Sequence, residues 1–410
     1  MKIVFQDPTF SLQLLRAIGE TYYKAADLGE CLSTAYRIKE GDFESWYIEW
    51  LKTAKRVHSY ADQCLSQHHK VSARESYLRA CNYYRVAEFL LINPEDPRIQ
   101  TTWASSKECF SKAATLFSPP IESVEIPYEG TTLPGYFYRV EEKDDSNNNN
   151  NSNNTPRPTL IAHGGFDSTL EELYTSAAAP ALERGYNCLT FEGPGQGRVI
   201  RKQKIPFRYD WEKVVTPVVD YALSLKQIDS NQIALMGISM GGYLAARAAA
   251  FEHRISACIL YNGVYDGYES FAASFPESLR LAVENGNTEV VNTVVGILSD
   301  LNANMRFNIK HGMWTTGANS PFKLIQDSKK YTIKDIAQNI KCPTLVLEAE
   351  KDDSFPGQPK KVYDALICPK KYILFTAEEG AEEHCQCGAP AISNQRIFDW
   401  LDETMKNNIT

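Results

Sequence analysis

The sequence has 410 residues, of which 43% are hydrophobic and 23% are charged, and its formal net charge is −8. A chain of this length and composition can bury a large core, and one core with an accessory domain is the simplest expectation. The acidic balance and the lack of a basic stripe argue against a nucleic-acid partner. The sequence shows neither an apolar run of about 18 residues nor an N-terminal signal core, which argues against a membrane partner and predicts a cytoplasmic protein.

The first part of the chain has the pattern of packed helices. Between residues 11 and 118 apolar side chains recur at intervals of three and four, with no run of strict alternation. Ser72 and Glu75 have the spacing of a capping box, which predicts a helix that begins at Ser72 and ends at Asn93-Pro94. We therefore expect residues 1–118 to form a helical accessory domain.

The pattern changes to short extended runs from residue 121 onward. Residues 123–126 and 133–139 read as two strands joined by a turn at Glu129-Gly130, which predicts that a second domain spans residues 119–410. Residues 143–157 are rich in asparagine and cannot bury enough apolar surface to order themselves. We expect them to form a disordered loop between strands.

Short apolar runs then alternate with helical stretches. This alternation predicts βαβ units and a mostly parallel sheet with helices on both faces. Residues 262–339 interrupt the order with helix-like segments, a length that suits a lid inserted between two strands. The expected strands of the sheet are residues 159–162, 187–191, 233–236, 257–261, 344–347 and 372–375.

The strongest chemical signal is a glycine-flanked serine between a strand and a helix. The run is Gly237-Ile238-Ser239-Met240-Gly241, and its context matches the nucleophile elbow of the α/β-hydrolase fold. Small residues are needed there because the serine occupies a strained backbone conformation while strand and helix approach closely. An idle serine in a glycine-rich turn is the alternative, and the matching context disfavours it.

A serine nucleophile needs a histidine to take its proton and a carboxylate to orient that histidine, in the chain order Ser, acid, His in this fold. His384 is the histidine after Ser239 that also follows a strand-end carboxylate in a suitable place. The acid is expected just past strand 344–347, where we prefer Asp352 to Glu350 and Asp353 because it lies three residues after Ala349. These residues predict a triad of Ser239, His384 and Asp352.

A tetrahedral intermediate also needs two backbone N–H donors for its oxygen. Met240 follows the nucleophile and is expected to supply one. The second should come from the loop after strand 159–162, from either Gly165 or Phe166. His163, in the same loop, more often braces such a loop than reacts.

Two other motifs suggest a cofactor only at first sight. Cys385-Gln386-Cys387 beside His384 lacks a second cysteine pair to complete four metal ligands. The turn that begins at Glu192 resembles a phosphate-binding loop but has no following Lys-Ser/Thr pair, and a tight active-site turn is the better interpretation. We predict no metal and no other cofactor, and we expect the ten cysteines to be free thiols.

Several longer motifs resemble one hydrolase family along nearly the whole chain. That family contains 2,6-dihydroxypseudooxynicotine hydrolase and the fungal hydrolases that shorten polyketide pigments. The motifs are Gly41-Asp42-Phe43-Glu44-Ser45-Trp46-Tyr47, Ala73-Arg74-Glu75-Ser76-Tyr77-Leu78-Arg79-Ala80, His163-Gly164-Gly165-Phe166-Asp167, Gly193-Pro194-Gly195-Gln196-Gly197, Phe355-Pro356-Gly357-Gln358-Pro359 and Glu378-Glu379-Gly380-Ala381-Glu382-Glu383-His384.

The resemblance implies an α/β-hydrolase whose N-terminal helical domain acts as a lid. It also implies a homodimer, since members of the family are often dimeric. It implies cleavage of a carbon–carbon bond beside a ketone, or of an ester or thioester, in a small metabolite of the polyketide type. Carbon–carbon members also use an auxiliary carboxylate, for which Asp266 and Glu269 are the candidates. Acyl transfer that gives cyclisation and a catalytically silent, metabolite-binding protein remain the alternatives.

Overall fold

The computed structural model of the chain describes residues 1–141, 155–273 and 275–407. Of the stretch expected to be a disordered loop, residues 143–154 lie outside the described residues. Arg157, at the end of that stretch, is the first residue of a strand.

Helices fill the chain up to the first strand. Aspartates cap several of them: the Asp7 carboxylate accepts hydrogen bonds from the first turn of one helix, and Asp42 and Asp96 do the same for two others. Trp46 and Trp50 are fully buried, and Trp46 Nε1 donates to the Val86 carbonyl oxygen at 2.8 Å. The helices are α1 Pro8–Gly19, α2 Leu28–Ala35, α3 Phe43–Ser66, α4 Lys70–Glu88 and α5 Pro97–Ala114.

Helix α4 begins earlier than the sequence predicts. Its first residue is Lys70, so Ser72 lies inside the first turn and the expected capping box is wrong. His68, two residues before the helix, adopts a left-handed conformation with φ 62°. This residue reverses the chain directly after α3, and the next helix starts without a side-chain cap.

The strands within the described residues form one eight-stranded sheet in the order β1-β2-β4-β3-β5-β6-β7-β8. The pairs β1–β2 and β2–β4 are antiparallel, and all the others are parallel. The predicted sheet and its mostly parallel character are confirmed. The strands are β1 Glu122–Tyr128, β2 Thr131–Tyr138, β3 Arg157–His163, β4 Asn187–Phe191, β5 Ile228–Ile238, β6 Ala257–Tyr261, β7 Thr344–Ala349 and β8 Lys370–Phe375.

Apolar clusters cover both faces of the sheet. One cluster is continuous from the N-terminal helices, through Phe110 and Tyr136 with ring centroids 4.8 Å apart, to β3, β5 and β6. A second cluster fills the opposite face, around Trp211 and Tyr243. The flanking helices are α6 Ala179–Glu183, α7 Glu212–Ser224 and α8 Gly241–Ala249 in the first half of the sheet, and α14 Gln358–Ala365 and α15 Pro390–Asn407 near its end.

Further helices lie between β6 and β7, where the sequence predicts an insertion at 262–339. They have an apolar cluster of their own, which includes Val283, Val291 and Ile325. Phe307 stacks on Phe89, which directly follows α4, with ring centroids 4.4 Å apart, so this insertion touches the N-terminal helical region. The helices are α9 Gly267–Ala272, α10 Glu277–Glu284, α11 Thr288–Leu301, α12 Ala303–Thr316 and α13 Pro321–Ser328.

None of the helices in the described part of the chain is both long and apolar enough to cross a membrane.

Candidate active site

Ser239 occupies the sharp turn between β5 and α8. Its φ is 62°, a left-handed conformation that is rare for a residue with a side chain, and its N–H donates to the Tyr261 carbonyl oxygen of β6 at 2.8 Å. The elbow packs so closely that a Cβ on Gly242 would overlap the carbonyl oxygen of Asn262. The neighbouring strand therefore holds the turn in its strained shape, with the Ser239 hydroxyl at the carboxyl end of the sheet.

The structure brings the three predicted triad residues together. His384 Nε2 lies 2.9 Å from Ser239 Oγ. His384 Nδ1 lies 3.0 and 2.9 Å from the two carboxylate oxygens of Asp352. Because the carboxylate only accepts at neutral pH, Nδ1 carries the hydrogen in the neutral imidazole, and Nε2 can then accept the serine proton.

The electrostatics of this pair follow from its burial and its mutual attraction. Burial opposes ionisation of Asp352, yet the charge and hydrogen bond of His384 and the N–H groups of Ser354 and Phe355 outweigh it, so the pKa of Asp352 lies below its ordinary value. Burial likewise disfavours the imidazolium, but the Asp352 charge raises the pKa of His384 well above its ordinary value. The pair thus favours the imidazolium form that a transition state with proton transfer to histidine would need.

Asn262 is a neighbour of the triad that sequence reasoning missed. It is fully buried directly after β6, with φ 73°, and its side-chain amide donates to an Asp352 carboxylate oxygen. The same Nδ2 atom lies 3.1 Å from His384 Nδ1. The only signal in the sequence is its position at the carboxyl end of a predicted strand.

The loop after β3 lies directly against the elbow. A Cβ on Gly165 would lie 2.8 Å from the Met240 nitrogen. The Gly165 N–H donates to Ser168 Oγ at 3.0 Å, whereas that of Phe166 has no hydrogen-bond partner among the residues described. Of the two alternatives for the second oxyanion donor, this geometry favours Phe166 together with Met240.

Two side chains fix the same loop from behind. His163 Nδ1 donates to the Gly164 carbonyl oxygen at 3.0 Å, and its complete burial lowers its pKa to about 4. Gln196 Nε2 donates to the carbonyl oxygens of Gly164 and Gly165 at 2.8 and 3.1 Å. The turn that starts at Glu192 therefore serves as a brace for the active-site loop.

The structure does not bring Asp266 and Glu269 to the triad. Asp266 is the N-cap of α9, where its carboxylate accepts from the Glu269 N–H at 2.7 Å and pairs with Lys334 at 2.8 Å. Glu269 is exposed and pairs with Lys361. Helix α9 turns other side chains toward the site, so the expectation that one of these carboxylates assists the reaction is not supported by their placement.

A cavity of about 1010 Å³ opens over Ser239 and His384. Three carboxylates of its lining were not predicted as site residues: Glu20 from the turn after α1, and Asp167 and Glu172 from the segment after β3. Asp167 ends one of the motifs given above, but no local pattern predicts that the three carboxylates meet, because they do so only in the folded chain. Its lining also includes Cys385 and Cys387, which are free thiols.

No group of three or more His, Cys, Asp or Glu side chains is arranged to hold a metal ion in residues 1–141, 155–273 and 275–407.

Comparison with known proteins agrees with the observed fold. The model of the alpha/beta hydrolase family matches residues 160–364. Hydrolase LUC6 of Fusarium sp is 35% identical over 98% of both chains, and 20-hydroxy-prefusarin hydrolase FUS2 of Gibberella moniliformis is 34% identical over 98% of both chains. The crystal structure of 2,6-dihydroxy-pseudo-oxynicotine hydrolase superposes with a TM-score of 0.74 at 24% identity, covering 94% of this chain and 95% of that one, which is a likeness of fold.

Proposed function

The chain belongs to the alpha/beta hydrolase family and is a hydrolase, and on this premise we propose that it cleaves an acyl bond of a small metabolite through an acyl-enzyme on Ser239. The observation that carries the proposal is the unbroken hydrogen-bond chain from Ser239 through His384 to Asp352 at the floor of a large cavity. A nucleophile, a base and an orienting acid at these distances form a serine hydrolase triad.

In the first half of the proposed reaction Ser239 Oγ attacks a substrate carbonyl carbon while His384 Nε2 takes the hydroxyl proton. The Met240 and Phe166 N–H groups hold the oxyanion of the tetrahedral intermediate, and such a donor contributes on the order of a hundredfold or more to the rate. Asp352 stays ionised and stabilises the imidazolium. When the intermediate collapses, His384 returns the proton to the leaving group.

In the second half a water molecule attacks the acyl-enzyme, with His384 as the base, and releases a carboxylic acid and free Ser239. If the leaving atom is the carbon of an enolate, the reaction is a retro-Claisen cleavage. If it is oxygen or sulfur, the reaction is ester or thioester hydrolysis. An internal hydroxyl or amine that intercepts the acyl-enzyme would give cyclisation instead.

The relatives favour a substrate from fungal secondary metabolism. FUS2 is named for a hydrolase of 20-hydroxy-prefusarin, and the family resemblance favours a ketone- or acyl-containing molecule of the polyketide type. The size of the cavity supports a metabolite of this kind, since about 1010 Å³ is at the upper end of the range for small-molecule sites.

An active-site label tests the nucleophile. A fluorophosphonate should label the wild-type protein, and mass spectrometry should place the adduct on Ser239. Ser239→Ala should stay unlabelled, whereas Ser270→Ala, which changes another serine of the cavity lining, should label at the wild-type rate. A wild type that resists the label as fully as Ser239→Ala would refute the proposal and favour a silent binding protein.

A second measurement separates hydrolysis from cyclisation. With a turned-over substrate in H₂¹⁸O, hydrolysis places one heavy oxygen in the acid product, whereas cyclisation incorporates none.

A further inference from the structure

The cavity over Ser239 has two chemically different ends. The polar end is formed by Arg16, Glu20, Asp167, Glu172 and Thr175, from α1, the turn that follows it and the segment after β3. The apolar end is formed by side chains of the inserted helices α9, α11, α12 and α13, namely Phe271, Leu298, Leu301, Met305 and Leu324. These two names are kept below.

The one cation that lines the polar end is already neutralised. Arg16 Nη1 lies 2.9 Å from an Asp167 oxygen, and Nη2 lies 2.6 Å from a Glu172 oxygen. An anionic group entering this end would therefore meet the carboxyl groups of Glu20, Asp167 and Glu172. A second guanidinium, that of Arg85, lies 3.9 Å from Glu172 but is not part of the cavity lining. Since a charge leaving water needs a partner, the polar end disfavours a substrate carboxylate or phosphate.

Glu20 is different, because part of its carboxyl group is unused. Thr175 Oγ1 donates to Oε2 of Glu20. Oε1 has no hydrogen-bond partner within the described residues, and it is not among the side-chain atoms sealed from solvent. Burial also raises the pKa of Glu20 to about 7, so the group is only partly ionised at neutral pH.

A purely structural role explains the other members of the polar end. The ion pairs of Arg16 tie α1 to the segment after β3, and Glu172 accepts a further hydrogen bond from the Thr169 N–H at 2.8 Å. Glu20 Oε1 takes part in none of these contacts, and Glu20 belongs to the cavity lining. Because Oε1 is open to solvent, water can satisfy it in the free protein. A substrate hydroxyl that displaces this water keeps the hydrogen bond, whereas an apolar chain end leaves the oxygen without a partner, which costs free energy.

We infer that the substrate, if Ser239 acts as proposed above, is an uncharged, elongated ketone or ester that places a hydroxyl group on Glu20 and an apolar body in the apolar end. The hydroxyl donates to Glu20 Oε1, and the carbonyl to be attacked lies between the two ends at Ser239. The polar end thereby selects neutral hydroxylated substrates over acids.

The test uses fluorophosphonate probes with alkyl chains of graded length that end in a methyl, a hydroxyl or a carboxylate group. Their labelling rate constants on the full-length protein report how well each chain end is accommodated. At the matching length we expect the hydroxyl probe to label the wild type about tenfold faster than the methyl probe, as for one buried hydrogen bond. The carboxylate probe should be the slowest.

Substitutions at the polar end assign the preference. Glu20→Leu should bring the ratio of hydroxyl to methyl rates close to one, and its thermal unfolding midpoint, measured beside that of the wild type, shows that the variant is folded. Glu20→Gln should retain most of the preference because its amide oxygen still accepts. Thr9→Val replaces another polar side chain of the lining by an apolar one of the same shape, and it should leave the ratio of hydroxyl to methyl rates unchanged.

Two results would overturn the inference: equal rates for the hydroxyl and methyl probes at every length, or a hydroxyl preference that survives Glu20→Leu. Failure of the proposed function looks different, since then no probe of any kind labels Ser239, and the inference falls with its premise.

Discussion

Replacing Asn262 by glycine should slow the reaction of Ser239 without unfolding the protein. Asn262 has φ 73°, a conformation that glycine adopts without strain, so Asn262→Gly removes the amide and keeps the backbone. The lost interaction is a hydrogen bond to the buried Asp352 carboxylate, and bonds to charged groups contribute about 1.5–3 kcal/mol. If this hydrogen bond acts wholly by holding Asp352 against His384, its full free energy is lost from the transition state. The fluorophosphonate labelling rate should then fall about 10- to 150-fold.

The assay compares labelling rate constants at a fixed pH together with thermal unfolding midpoints. Lys204→Gly is the matched control, because Lys204 also has a left-handed backbone, with φ 60°, and does not line the cavity. Asn262→Asp should be slower still at neutral pH, since two adjoining buried carboxylates cannot both ionise and the shared proton weakens the hold on His384. A folded Asn262→Gly protein that labels within about twofold of the wild-type rate would refute this account of Asn262.

Three further outcomes follow from the structure. The labelling rate should rise with pH, because only the neutral imidazole accepts the serine proton and Asp352 keeps the pKa of His384 above its ordinary value. Asp352→Asn should move this rise to lower pH, and a wild-type rate that is flat through neutral pH would contradict the prediction. Gly242→Ala should lower the free energy of unfolding in urea by about 1–3 kcal/mol, since its Cβ overlaps a backbone carbonyl oxygen, whereas Gly296→Ala, in the open interior of α11, should raise it by about 0.5–1 kcal/mol. The free energy of unfolding should fall as pH falls from 6.5 towards 4, because unfolded His163 binds a proton in that window and folded His163, with a pKa of about 4, does not. The contribution is up to about 3 kcal/mol, and His163→Phe should make the free energy of unfolding, measured in urea, depend less steeply on pH there.

The parts of the fold that could be predicted are those with a local signal. Each expected strand after residue 155 lies inside an observed one, as residues 233–236 lie within β5 Ile228–Ile238, because buried parallel strands are short apolar runs bounded by turns. The turn at Ser239 was predictable for the same reason, since the glycines that permit its close packing are neighbours of the serine in sequence. Chain order then pointed to His384 and Asp352, which the fold places within hydrogen-bond distance.

Two expectations differ from the structure because the local backbone decides what a polar side chain can do. The family resemblance made Asp266 a candidate for the auxiliary carboxylate, yet its carboxylate caps α9. An aspartate beside free helix N–H groups has a strong local partner, and this competes with any role at a distance. Ser72 differs from its prediction for another reason. The turn at His68 lets α4 begin before Ser72, so the serine lies inside the first turn and cannot cap the helix.

The remaining features could not be predicted because several distant segments create them together. Ser239, Asn262, Asp352 and His384 follow the ends of β5, β6, β7 and β8, whereas the polar end of the cavity is contributed in large part by α1 and the turn after it. Substitutions in α1 should therefore change which substrates are accepted while the reactivity of Ser239 stays intact. Deleting the N-terminal helices would not show this, since one apolar cluster runs from them into the sheet and truncation would expose it to water. Point substitutions such as Glu20→Leu separate selectivity from stability, and truncation confounds the two.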